Sequence, residues 1–184
     1  MNATEALARL KEGNERFVQQ GANTSDIGMA RRAELAEAGQ HPFAVVIACS
    51  DSRVVPEHLF DCGLGDLFTI RTAGNTIGSS ELASVVYACA HLKCKLVVVL
   101  GHTQCGAVGA TLAGGETGAV SVLTNRIQQA IGDEHDPVQA SVLNAMAGIA
   151  SLEACEELAP LLQNGLALQG ALHYIDTGEV EFLS

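Results

Sequence analysis

Tryptophan is absent from this 184-residue chain and tyrosine occurs only twice, so the few aromatic positions are informative wherever they stand. Positive charge is scarce: ten lysines and arginines face 21 aspartates and glutamates, for a net charge of −11. With no Lys/Arg cluster, this balance argues against nucleic acid and anionic membrane surfaces as partners; the acidity mainly aids solubility. No apolar run approaches the length of a bilayer-spanning helix, and the opening Met1-Asn2-Ala3-Thr4-Glu5-Ala6 lacks the basic-then-apolar layout of a secretory signal. The expectation is a soluble, cytoplasmic protein. A Cys-x-x-Cys pair is also missing, which removes the usual signature of a redox thiol protein. In a reducing compartment the six cysteines, Cys49, Cys62, Cys89, Cys94, Cys105 and Cys155, are expected to be ligands or small buried residues rather than disulfide partners. Neither repeats, low-complexity stretches nor a Pro/Ser-rich linker divides the chain, so a single domain over residues 1–184 is expected, with residues 1–40 as an N-terminal helical arm.

Two runs, Phe43-Ala44-Val45-Val46-Ile47-Ala48 and Lys95-Leu96-Val97-Val98-Val99-Leu100, are almost continuously apolar and β-branched. Strands covered on both faces of a parallel sheet read this way. Around them the pattern predicts an amphipathic helix over residues 4–20, opened by a Thr4 cap and interrupted by Gly13-Asn14. A loop over 21–26, a short helix over 27–38, a helical turn after Pro56 and a strand over 66–71 follow. Ser79-Ser80-Glu81 is expected to cap a helix running to about residue 92, which returns the chain to the 95–100 strand as a β-helix-β crossover. Helices at about 106–113, 120–131 and 137–162 come next, and strands over 166–175 and 179–183 close the chain as a hairpin. The fold class is therefore α/β: a central, mostly parallel β-sheet flanked by helices, with an N-terminal helical arm and a C-terminal strand hairpin.

Each buried run leads into a polar segment, Cys49-Ser50-Asp51-Ser52-Arg53 after the first and Gly101-His102-Thr103-Gln104-Cys105-Gly106 after the second. Open α/β sheets gather their ligand sites just beyond the carboxyl ends of strands. Cysteine and histidine bind zinc as thiolate and neutral imidazole, and a catalytic zinc keeps three protein ligands with the fourth position open. Cys49, His102 and Cys105 make such a Cys₂His set, and a helix starting near Cys105 would favour its thiolate. The spacing alone equally suits two small buried cysteines and a turn histidine. Asp51 and Arg53 change the balance, because a carboxylate and a guanidinium two residues apart beside a metal have a chemical use. Zn²⁺ with two thiolates is neutral, so it acidifies a bound water less than an all-histidine site does. A free Asp51 carboxylate would oppose that ionisation or occupy the fourth position, whereas pairing with Arg53 offsets its charge and holds it off the metal.

In these residues the chain resembles a β-class carbonic anhydrase, and the resemblance extends over nearly its whole length. Besides the two polar segments it shares Gly13-Asn14-Glu15-Arg16-Phe17, Pro56-Glu57, Gly65-Asp66-Leu67-Phe68, Arg71 and Ala73-Gly74-Asn75. The resemblance implies the β-carbonic anhydrase fold and one Zn²⁺ per chain on Cys49, His102 and Cys105. Asp51 would either take the fourth position in a closed state or, paired to Arg53, leave it to water. It also implies a substrate pocket of Gln40, Phe68 and Tyr87, partly donated by a neighbouring subunit, beside Gly106. Taken singly, those three read as a loop amide, a strand core residue and a helix residue packed on the sheet. Two departures stand out: Val46 occupies the place of a Trp found in bicarbonate-inhibited members, so bicarbonate control is not implied, and His173-Tyr174 replaces a common Tyr-Asp.

The activity implied is reversible hydration of carbon dioxide to bicarbonate and a proton, by zinc-bound hydroxide gated by the Asp51–Arg53 pair, in a homodimer or tetramer. Two other readings stay open on the motifs. One is hydrolysis of carbon disulfide or carbonyl sulfide on the same site; the other is a non-catalytic protein whose zinc, with Asp51 as fourth ligand, staples the fold. Cys62, Cys89, Cys94 and Cys155 are assigned to packing, and His41, His58, His91, His135 and His173 to surface or capping roles.

Overall fold

A computed structural model of the chain describes residues 1–21 and 24–183. The N-terminal arm consists of α1 (Ala3–Gln20) and α2 (Met29–Ala38). Then come β1 (Ala44–Cys49), a one-turn helix α3 (Pro56–Leu59), β2 (Leu67–Thr72), a 3₁₀ turn over Ala73–Asn75, α4 (Ser79–Ala90) and β3 (Leu96–His102). Helices α5 (Gly106–Leu112), α6 (Ser121–Ile131), α7 (Pro137–Glu153) and α8 (Ala159–Gln163) precede the final pair, β4 (Ala167–His173) and β5 (Val180–Phe182). The sheet order is β2-β1-β3-β4-β5, parallel except for the antiparallel β5.

The two apolar runs become the two central strands, and every residue of β1 and β3 is buried. Side chains alternate across a strand, so each run feeds two cores. Val46, Ala48, Val98 and Leu100 pack with Ala6 and Leu10 of α1 and Leu59 and Phe60 around α3. Val45, Ile47, Val97 and Val99 pack with Val85, Ala88 and Cys89 of α4 and Ala145, Ile149 and Leu152 of α7. At about 1.5–3 kcal/mol for each large aliphatic side chain removed from water, this two-sided burial is what holds the strands in place. Cys62, Cys89, Cys94 and Cys155 lie buried in these clusters, as their assignment to packing requires.

Gly13-Asn14 proves to be a joint rather than a flaw in α1. A Cβ on Gly13 would lie 2.0 Å from the Phe60 carbonyl oxygen, so only glycine permits this approach. Asn14 donates from Nδ2 to the carbonyls of Leu59 (3.1 Å) and Gly178 (2.9 Å) and accepts from Val180 N–H (2.9 Å), tying the arm to α3 and to the terminal hairpin.

Several expected boundaries move. Asn2, not Thr4, caps α1, its Oδ1 accepting from Glu5 N–H at 2.9 Å while Glu5 bonds back to Asn2 N–H. The second helix starts at Met29 because Asp26 accepts from Gly28 N–H (2.8 Å) in a turn just before it. Gly78 is the N-cap of α4, and Glu81 rather than a serine closes the end by accepting from Gly78 N–H (2.8 Å). The single helix expected over 137–162 breaks after Glu153 and restarts at Ala159; proline at the start of α8 is tolerated in a first turn but not in a helix interior. The loop expected over 21–26 falls partly outside the described residues.

Candidate metal centre

After β1 the chain crosses to β2 on one side and then, through α4, to β3 on the other, so a crevice opens between the carboxyl ends of β1 and β3. In open α/β sheets that reversal point is where ligands bind. Cys49 is the last residue of β1, His102 the last of β3, and Cys105 the N-cap of α5. Their Sγ and imidazole nitrogen atoms lie within 4.8 Å of one another, and they form the one such His/Cys/Asp/Glu group among the described residues. That span suits a common centre about 2.3 Å from each sulfur and about 2.0–2.1 Å from the imidazole nitrogen.

The imidazole is already oriented for a metal. His102 Nδ1 lies 2.8 Å from the Thr103 carbonyl oxygen, which can only accept, so Nδ1 carries the proton and Nε2 bears a lone pair. Nε2 is buried with no partner in the protein, and an unpaired buried acceptor of this kind is costly unless a ligand meets it. Around Cys49 Sγ the amides of Gly74 (3.2 Å) and Asp51 (3.4 Å) converge. A hydrogen bond from the Cys105 thiol, aided by the His102 side chain and then by these amides, holds the Cys49 thiol well below the usual thiol range, outweighing burial. Cys105 moves the opposite way, raised first by that bond to Cys49 and then by burial, while the Ala107 and Val108 amides pull it down. Two thiols sharing one proton at a buried point are the donor set a soft divalent cation displaces that proton to bind.

Asp51 stands beside this set and is not part of it. Arg53 grips its carboxylate at both oxygens, Nε to Oδ1 at 3.0 Å and Nη2 to Oδ2 at 2.8 Å, and the Arg53 amide adds a third bond to Oδ1 at 2.9 Å. The Arg53 side-chain hydrogen bond is the first cause holding the Asp51 carboxyl far below the usual carboxylate range.

A family model described as carbonic anhydrase matches residues 44–180. The chain belongs to the β-class carbonic anhydrase family. A carbonic anhydrase of Mycolicibacterium smegmatis is 50% identical over 119 residues, 65% of this chain and 57% of that protein, so the match spans little more than half of the relative's length. A β-carbonic anhydrase of Aspergillus fumigatus superposes with a TM-score of 0.79 at 27% identity, covering 98% of this chain and 90% of that one. A tetrameric β-carbonic anhydrase of Sordaria macrospora gives 0.74 at 27% identity, over 98% of this chain and 96% of that one.

Among the remaining site residues expected of a β-class carbonic anhydrase, Gly106 lies next to Cys105, where a Cβ would meet nothing within 4 Å. Gln40, Phe68 and Tyr87 are not brought to the metal donors of their own chain. Phe68 pairs with Val45, four residues before Cys49, which is about 13 Å down the strand. Tyr87 is exposed, with its ring 6.2 Å from that of Phe68, and Gln40 is exposed before the start of β1. All three lie toward the amino edge of the sheet.

His173, expected at the surface, is instead buried on β4 directly opposite His102, with Nδ1 unpartnered. Burial, and after it His102, push its pKa down to about 4. Two further residues do work that the motifs left unassigned. Arg71 braces the Cys49–Asp51 loop by donating from Nε to the Cys49 carbonyl (3.1 Å) and from Nη2 to the Asp51 carbonyl (2.7 Å). Gln104 accepts from Arg53. Arg71 carried a signal, as an isolated shared residue of the resemblance; Gln104 carried none.

Proposed function

We propose that this chain catalyses the reversible hydration of carbon dioxide to bicarbonate and a proton, with one Zn²⁺ per chain on Cys49, His102 and Cys105. One observation carries the reading: three metal donors converge, while the one carboxylate beside them is engaged at both oxygens by Arg53. When bound, zinc supplies a Lewis acid that lowers the pKa of a coordinated water. Asp51, ionised and therefore acceptor-only, would accept a hydrogen bond from the reacting oxygen and so turn a lone pair toward the electrophile. Arg53 keeps that carboxylate off the fourth position, which is the gate: with the pair intact the position is open, and with it broken Asp51 is free to close it. A site whose zinc served only as a staple would use Asp51 as a ligand, and the Arg53 grip on it supports the catalytic reading. Gly106 leaves room over the donors for a small linear substrate.

We propose that a second copy completes the pocket, with Gln40, Phe68 and Tyr87 partly donated by the neighbouring subunit. In support, Phe68 stands on the edge strand β2, Tyr87 is exposed, and α2 buries no residue within its own chain. The assembly is then a homodimer, or a tetramer as in the Sordaria structures. Metal thiolates persist in a reducing compartment, and we place the protein in the cytoplasm, with neither nucleic acid nor membrane as partner; among the described residues no helix is long and apolar enough to cross a membrane.

Stopped-flow CO₂ hydration by the purified zinc-loaded protein at pH 8.5 tests the activity. Acceleration that disappears when zinc is removed supports it; no acceleration with one zinc per chain overturns it.

A further inference from the structure

We infer that Gln104 is a positioning residue of this centre, its side-chain and main-chain carbonyls holding the Arg53 guanidinium in the orientation that engages Asp51. The inference rests on the reading of Asp51 and Arg53 given above and deepens it.

Gln104 occupies the turn between the ligands His102 and Cys105 with φ at +57°. Glycine adopts this left-handed conformation without strain, whereas a side chain such as glutamine does so at a cost to the fold. A strained residue kept beside a candidate centre points to a task for its side chain. Two contacts identify that task. Arg53 Nη1 donates to Gln104 Oε1 at 3.3 Å, and Arg53 Nη2 donates to the Gln104 main-chain oxygen at 3.2 Å. Nε and Nη2 of the same guanidinium serve the Asp51 carboxylate, so the planar group is gripped from two sides.

The second grip matters because the Arg53 side chain is 45% exposed. An exposed arginine–carboxylate pair ordinarily gives up most of its Coulomb gain to side-chain entropy and solvent. Acceptors placed on a separate loop restrict the guanidinium before Asp51 is considered, which lowers the entropy lost on pairing. That loop is itself anchored, since Thr103 N–H donates to the His173 carbonyl at 2.9 Å and Thr103 Oγ1 accepts from Ile175 N–H at 3.0 Å. Gln104 follows β3 and Arg53 follows β1, so the contact also joins the two loops that carry the metal donors.

Two variants test this. Gln104→Gly removes the amide and relieves the backbone; Gln104→Glu keeps an acceptor oxygen at the same reach. Nitrogen-15 relaxation of the Arg53 Nε–Hε group in the zinc-loaded protein reads the order of the guanidinium. The expected result is an ordered Arg53 in the parent and in Gln104→Glu and a lower order parameter in Gln104→Gly. The glycine variant should keep one zinc per chain and an unchanged or higher melting temperature, with kcat/KM for CO₂ hydration down about 10-fold, the scale of losing an outer-shell contact. Unchanged Arg53 order in Gln104→Gly overturns the inference whatever the activity does, and so does lost order with undiminished kcat/KM. If the parent hydrates no CO₂, the proposed function fails, and the Arg53 order alone decides this inference.

Discussion

Cys49 and Cys89 are both buried thiols, Cys49 in the cluster with Cys105 and Val108 and Cys89 in the one between the sheet, α4 and α7, yet their surroundings drive them in opposite directions. Burial pushes Cys62 and Cys89 up to about 12 and Cys94 up to about 11, as expected of thiols among aliphatic neighbours. Cys49 is pulled down instead, because it ends its strand in a crevice where the Cys105 thiol, the His102 side chain and backbone amides reach its sulfur. Burial is common to all of them, and Cys105 is raised as well; what sets the candidate ligands Cys49 and Cys105 apart from the packing cysteines is their convergence with His102 on one point. The same contrast appears among carboxylates. Asp61 is gripped by Arg16 at 2.7 Å and by Thr24 N–H at 2.7 Å, and so fastens the arm to the turn after α3. Asp51, gripped by Arg53 at 2.8 Å, lies two residues after Cys49, one of the three candidate metal donors. Similar pairs differ in role because of what lies on their open side.

The largest expected effect comes from placing the two kinds of cysteine side by side. Cys105→Ala should leave a folded protein that no longer retains zinc after dialysis and has lost activity by about 10³-fold or more, since two protein ligands do not make a zinc site. Cys89→Ala should keep stoichiometric zinc and normal kcat/KM, with stability reduced by about 1–2 kcal/mol from the lost buried sulfur. If both variants lose zinc equally, the distinction between them is wrong. Next in size, Asp51→Asn should keep zinc and lower kcat by about 10²-fold or more, as for removal of a preorganised polar group that orients and stabilises the reacting oxygen. Asp61→Asn should leave kcat/KM unaltered.

The smallest effect concerns acid stability at Asp61. Burial alone would raise its pKa, but the Arg16 and Thr24 hydrogen bonds outweigh that and leave it below the ordinary value. A folded-state pKa below the unfolded value of about 3.9 means stability that is present above that pH and lost as pH falls through the folded value. Urea unfolding of the zinc-loaded protein should therefore show Asp61→Asn less stable than the parent at pH 7, with the difference shrinking below about pH 4. A difference that grows toward low pH would contradict the sign.

Much of this was readable in the chain. The runs at 43–48 and 95–100 could only be buried on both faces, and a strand end is a short step from there to Cys49 and His102. Asp51 and Arg53 were legible because they are two residues apart and pair locally. Gln104 was not, because its task depends on a left-handed backbone and on a loop brought across from a different strand. His173 read as a surface residue because its burial comes from strand pairing with His102, which sequence spacing does not express. Gln40, Phe68 and Tyr87 were recognisable only as a set carried by family resemblance; within one chain they lie toward the opposite edge of the sheet from the metal donors.

The central claim is that Cys49, His102 and Cys105 hold the metal while Arg53 keeps Asp51 away from it. A crystal structure of the zinc-loaded protein at pH 8.5, with the metal located by anomalous scattering, tests it most directly. Zinc is expected about 2.3 Å from both sulfurs and about 2.0–2.1 Å from His102 Nε2, with Asp51 still on Arg53. Zinc bound elsewhere, or an Asp51 oxygen in the coordination sphere at that pH, would contradict it.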